Sequence, residues 1–172
     1  MYIDPSGLDD VIIYTYGKDS DFRAQALYMK NKLTEEERTV RMIGIDATNG
    51  RQEFETAWNS LGIAENENEY ELDNVYIYSH GNERSLILQD GSPLEALSIN
   101  GKNSSGNEIG DINSLAHKDI DELYLYSCNA GNVDQYFYGY KIKDPDTGLS
   151  NGFGNVASIF STRITGVVYG YD

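Results

Sequence analysis

Val75-Tyr-Ile-Tyr-Ser-His80-Gly81 and Leu123-Tyr-Leu-Tyr-Ser-Cys128-Asn-Ala-Gly131 are two apolar runs of nearly the same pattern, each stopping at a reactive side chain. One stops at an imidazole and the other at the only thiol in the chain. Short continuous runs of β-branched and aromatic residues read as buried strands. If the two runs are neighbouring parallel strands, their carboxyl ends lie about 5 Å apart in the pairing direction. His80 and Cys128 then face one cleft.

The surrounding sequence supplies the strands and helices that such a pairing needs. Residues 11–16 (VIIYTY), ending in Gly17, read as a first buried strand. Ser20 or Asp19 can cap a helix running to about Glu35, with Phe22, Ala26, Leu27, Met29, Lys30 and Leu33 on one mainly apolar face. Residues 39–45 form a second strand candidate. Residues 52–61 are helical, with Phe54, Ala57, Trp58 and Leu61 at helical spacing. After an acidic loop over 65–71 comes the run at Val75. Residues 84–89 suggest a short strand followed by the Asp90-Gly91 turn, 101–110 a flexible loop, and 112–120 a short helix. Residues 122–127 are the next main strand, 156–162 a helix and 167–171 a last strand. Strands alternating with helices imply an α/β fold of parallel βαβ units. In an open sheet of this kind ligands bind beyond the carboxyl ends of the strands, where His80 and Cys128 both sit.

Composition narrows the function. At 172 residues the chain suits one domain with its own core. A single cysteine forms no internal disulfide and supplies no paired thiolates for zinc. Thirteen basic against 28 acidic residues, a formal charge of −15, repel phosphate backbones and argue against a nucleic-acid partner. No apolar run approaches the roughly 18 residues that would span a bilayer, so membrane insertion is not expected. The amino terminus shows no basic-then-apolar signal segment, so no export address of its own is expected.

Each reactive residue also has an ordinary reading. A lone cysteine is often a buried structural thiol, and a histidine at a strand end often only bonds a backbone group. Their joint placement favours chemistry: Cys128 as nucleophile, and His80 as the base that takes its proton or stabilises the thiolate. Gly81, lacking a side chain, lets its amide approach a substrate carbonyl, and with the Cys128 amide it can form an oxyanion hole. No third residue is placed to orient the imidazole, which leaves a dyad. His117, in Ser114-Leu-Ala-His-Lys118, reads as a surface residue. Gly148-Leu-Ser-Asn-Gly152 and Gly152-Phe-Gly-Asn-Val-Ala157 match the nucleophile-elbow and dinucleotide patterns. Both patterns need a preceding buried strand, and here the turn Lys143-Asp-Pro-Asp-Thr147 stands in its place. Asp144, Asp146 and Ser150 lack the ligand set of a calcium loop and read as a solvated turn. No metal or cofactor is expected.

A strand ending in Ser-His-Gly followed by one ending in Ser-Cys-x-x-Gly resembles the caspase-like clan of cysteine peptidases. That resemblance covers residues 11 to 171 as an order of elements, with its specific part in the two motifs. It implies a three-layer sandwich with a mainly parallel central sheet, His80 as general acid/base, Cys128 as nucleophile, and oxyanion donors from the Gly81 and Cys128 amides. The reaction it implies is peptide hydrolysis through a thioester acyl-enzyme. Pocket residues do not carry over, and Asp19, Ser127 and Asp172 are positional candidates only. At the start, Tyr2-Ile-Asp-Pro-Ser-Gly-Leu8 resembles the end of the core of Rhs and other YD-repeat polymorphic toxins, after which a toxin domain begins. That likeness implies a boundary between residues 1–10, as the end of such a core or a linker, and a peptidase domain over 11–172. It further implies export within a larger bacterial toxin, action in a target-cell cytoplasm, a protein or peptide substrate, and an immunity protein as partner. Two other readings stay open: self-processing of the parent chain, and an inactive caspase-like binding module.

Overall fold

The computed structural model describes residues 9–63, 71–82, 84–91, 95–128 and 155–170. The segment 2–8, the stretch 132–152 with its turn and motif matches, and Asp172 lie outside the described residues, as does all of the acidic loop except Glu71. In chain order the elements are β1 (Asp9–Tyr16), α1 (Arg23–Glu35), β2 (Thr39–Asp46), α2 (Gly50–Ser60), β3 (Leu72–Tyr78), β4 (His80–Gly81), β5 (Ser85–Ile87), β6 (Glu95–Ser98), β7 (Gly110–Asp111), β8 (Ile120–Tyr126), α3 (Val156–Phe160) and β9 (Val167–Gly170). Five strands make one all-parallel sheet in the order β2-β1-β3-β8-β9. The other four make a small second sheet in the order β4-β5-β6-β7.

Strand order explains which face each helix covers. A right-handed crossover places its connection on one face when the chain steps one way across the sheet, and on the opposite face when it steps back. The chain steps from β1 outward to β2, then reverses to β3, β8 and β9. Accordingly, Ala26 and Leu33 of α1 pack with Ile12, Tyr76 and Tyr78 on one face. Phe54 and Trp58 of α2, Phe160 of α3, and Leu86 and Leu97 of the small sheet pack with Val75 and Leu125 on the other. The expected α/β class and parallel central sheet are thus present, with helices on both faces as in a three-layer sandwich. The alternation along β3 and β8 also accounts for the tyrosines. Tyr76 stacks on Tyr124, which stacks on Tyr169, and Tyr78 stacks on Tyr126, all with ring centroids 4.6–5.0 Å apart.

Several local expectations change. β1 begins at Asp9, before the apolar run. Its Asp10 is buried and takes a two-point bond from Arg38, with Nε to Oδ2 at 2.5 Å and NH2 to Oδ1 at 2.7 Å. Helix α1 starts at Arg23 with Phe22 in the cap position, and neither Ser20 nor Asp19 caps it. Ser20 is buried and shares a hydrogen with the Thr15 hydroxyl at 2.8 Å, while the Phe22 amide donates to Thr15 O. Leu27 is exposed and does not belong to the apolar face. Residues 112–120 form only a 3₁₀ turn, Ile112–Ser114, capped by Asp111, before β8 begins. Beyond that turn Lys118 exchanges backbone bonds with Arg163 and Thr165, so extended pairing replaces a helix. The 101–110 segment is closed by the Asn103 side chain, which accepts from the amides of Ser105 and Asn107.

Candidate active site

β3 and β8 pair in register from Leu72↔Ile120 through Tyr78↔Tyr126. Past that rung the Ser79 amide donates to Tyr126 O at 3.3 Å, so the ladder continues toward the carboxyl edge. Two residues beyond Tyr78 and Tyr126 stand His80 and Cys128, aligned by the same register. β3 lies beside β1, from which the chain leaves in the opposite direction to β2, so His80 borders the crevice that opens where connections diverge.

The short strand after β3 sets the direction of His80. β4 turns out of the main sheet and pairs antiparallel with β5, His80 opposite Ile87 and Gly81 opposite Leu86. The His80 ring is exposed and meets Phe22 edge-on, with centroids 4.9 Å apart and planes at 69°. Phe22 belongs to the cluster on the α1 side of the sheet, so that face holds the imidazole. Among the described residues no carboxylate or amide hydrogen-bonds the ring. Cys128 is a free, exposed thiol, not part of the core.

Gly81 crosses directly over the residue before the thiol. A Cβ at Gly81 would stand 2.0 Å from Ser127 Oγ and 3.1 Å from Ser85 O, so no larger residue fits without displacement. Ser127, a pocket candidate from sequence, is 4 % exposed, and its neighbour Ser79 is 2 % exposed. Neither hydroxyl has a hydrogen-bond partner among the described residues. A buried polar group left unpaired costs about 1–3 kcal/mol, so two of them beneath the reactive pair call for an explanation.

Asp19, the second pocket candidate, lies exposed on the loop after β1. Its amide and that of Lys18 donate to the Asp90 carboxylate at 3.1 and 2.7 Å, and that loop approaches Asp90 closely at Gly17. Asp46, at the end of β2, accepts from the Thr48 amide. Bonds from the Thr48 backbone and side chain, then the charge of Arg23, hold its carboxyl below the usual range. The sheet's carboxyl edge is therefore acidic near β1 and β2. An open groove of about 480 Å³ between β2 and α2, lined by Ile43, Gly44, Gln52, Glu53 and Thr56 among others, includes neither His80 nor Cys128.

Sequence reading missed Phe22, Ser79 and Asp90. Phe22 reads as helix face, and Asp90 only as half of an Asp-Gly turn; the role of each depends on a partner far away in sequence, Asp90 bonding across 72 positions. Comparison with protein-family models, with curated proteins and with solved structures finds no match for this chain.

Proposed function

We propose that this chain is a caspase-like cysteine endopeptidase, the effector domain of a bacterial Rhs-type toxin, working through a His80–Cys128 dyad. One observation carries the reading: a continuous parallel register runs up β3 and β8 and aligns an exposed imidazole with an exposed thiol at the ligand-binding edge. His80 removes the thiol proton, the Cys128 sulfur attacks the scissile carbonyl, and the amides of Gly81 and Cys128 receive the oxyanion. His80 then protonates the leaving amine, and water hydrolyses the thioester. The acidic carboxyl edge, with Asp19, Asp21 and Asp46, favours substrates carrying basic residues. A protein substrate in the target-cell cytoplasm and a cognate immunity protein complete the proposal. No helix among the described residues is long and apolar enough to cross a membrane.

The test is mass spectrometry of new protein termini in cells expressing the wild type, Cys128→Ala or His80→Ala. Termini made by the wild type and lost in both variants support the peptidase. Identical termini in all three, with toxicity retained, refute it and favour a binding module. Cleavage confined to a joined parent chain would reassign the domain to self-processing.

A further inference from the structure

We propose that Ser127 is a positioning residue for the Gly81 amide, an inference that rests on the reading of His80 and Cys128 as a dyad. Its hydroxyl fills the volume that a side chain at Gly81 would occupy, 2.0 Å from the ideal Cβ position, with its own Cβ 3.3 Å away. The backbone of Gly81 is therefore seated on the Ser127 hydroxyl, and the residue after Ser127 carries the thiol. One side chain thus fixes the spacing of the two amides assigned to the oxyanion, because Ser127 precedes one donor in sequence and supports the other in space.

The hydroxyl is buried and has no hydrogen-bond partner among the described residues. For packing alone such a group is a poor choice, since a methyl fills nearly the same space without an unpaired polar atom. An uncommitted O–H under Gly81 can turn toward charge developing at that amide without first breaking a bond, which is what preorganised stabilisation requires. Ser79 occupies the equivalent place before His80, but Ser127 is the one in contact with Gly81.

Two thiol reactions separate this role from a structural one. In the first, a peptide aldehyde adds to Cys128: a C–S bond forms, the carbonyl π pair moves to oxygen, and the thiol proton ends on that oxygen as a hemithioacetal. This adduct uses the oxyanion donors. In the second, iodoacetamide alkylates the thiolate, sulfur displacing iodide while the thiol proton passes to solvent, and no oxyanion forms. The probes are iodoacetamide and a panel of acetyl-dipeptide aldehydes ending in Arg, Asn, Asp or Leu, applied to the full chain. Ser127→Ala is expected to weaken the best aldehyde on the order of 10-fold, since it acts through one oxyanion donor. Its alkylation rate is expected to stay within about twofold of wild type, because thiolate formation by His80 is untouched. Unchanged aldehyde affinity overturns the proposal, as does a parallel fall in both readouts, which marks a purely structural role. If no aldehyde binds the wild type, or if binding survives Cys128→Ala, the dyad reading itself fails and the proposal with it.

Discussion

Arg38→Ala should be among the most destabilising changes to a partly exposed residue in this protein. The Asp10 side chain is fully buried and that of Arg38 is 19 % exposed. The guanidinium grips both Asp10 oxygens, at 2.5 and 2.7 Å, and reaches Asp73 at 3.1 Å, with its charged form held above the already high usual range by the Asp10 bond. Removing it leaves Asp10 with the Asn74 amide at 2.8 Å. Breaking a buried pair from one side costs about 3–5 kcal/mol, because an uncompensated charge stays behind. Water can enter where Arg38 is exposed, so the lower end, about 3 kcal/mol, is expected. At roughly 2–4 °C per kcal/mol for a chain of this size, the melting midpoint falls by about 6–12 °C. Urea unfolding followed by fluorescence of the buried Trp58 measures it, with calorimetry as a second probe. Replacing both partners, Arg38→Met with Asp10→Leu, should recover most of the loss, since no buried charge is orphaned. A single-variant loss under about 1 kcal/mol would refute the reasoning, because that is what an exposed pair contributes.

Glu37 is a described non-glycine residue with positive φ, 62°, where the chain leaves α1, so Glu37→Gly should stabilise by about 0.5–1 kcal/mol in urea unfolding. Asp46 and Glu71 should titrate on opposite sides of the ordinary carboxylate range. Bonds from Thr48 lower Asp46, so its stabilising contribution is complete above the unfolded-state value and is lost as pH falls through the depressed midpoint. The charges of Asp121 and then Asp119 raise Glu71, so its contribution is present at low pH and lost as pH rises through the raised midpoint. Carboxyl NMR titration reads both midpoints. Glu71→Gln should stabilise the protein at neutral pH and low salt, and a gain that persisted in high salt would contradict a charge-repulsion origin.

The main strands were legible because their signal is local. Residues 11–16, 75–79 and 122–127 are apolar runs bounded by polar residues or glycine, and burial on both faces of a parallel sheet demands that composition. Helix α2 was legible for the same reason, from Phe54, Ala57 and Trp58 at one turn's spacing. The start of α1 was not: Ser20 looks like a cap, but a bond to Thr15 and the burial of both hydroxyls outweigh a cap's about 1 kcal/mol. The small second sheet was legible only as one strand near 84–89, because its strands of two to four residues carry too short a pattern to read. His80 and Cys128 were visible as strand-end residues.

By itself the sequence determined the α/β class, the main strands and the two residues that end on a reactive side chain, since these depend on hydrophobic patterning within a few positions. Only the tertiary structure decided that β3 and β8 are neighbours in a register that aligns His80 with Cys128. The same holds for Phe22 against the imidazole and for Gly81 seated on Ser127. Those facts depend on pairings between segments far apart in sequence, or on contacts made when β4 turns out of the sheet. Their energy comes from closing long loops and filling shared space, and no local periodicity encodes it.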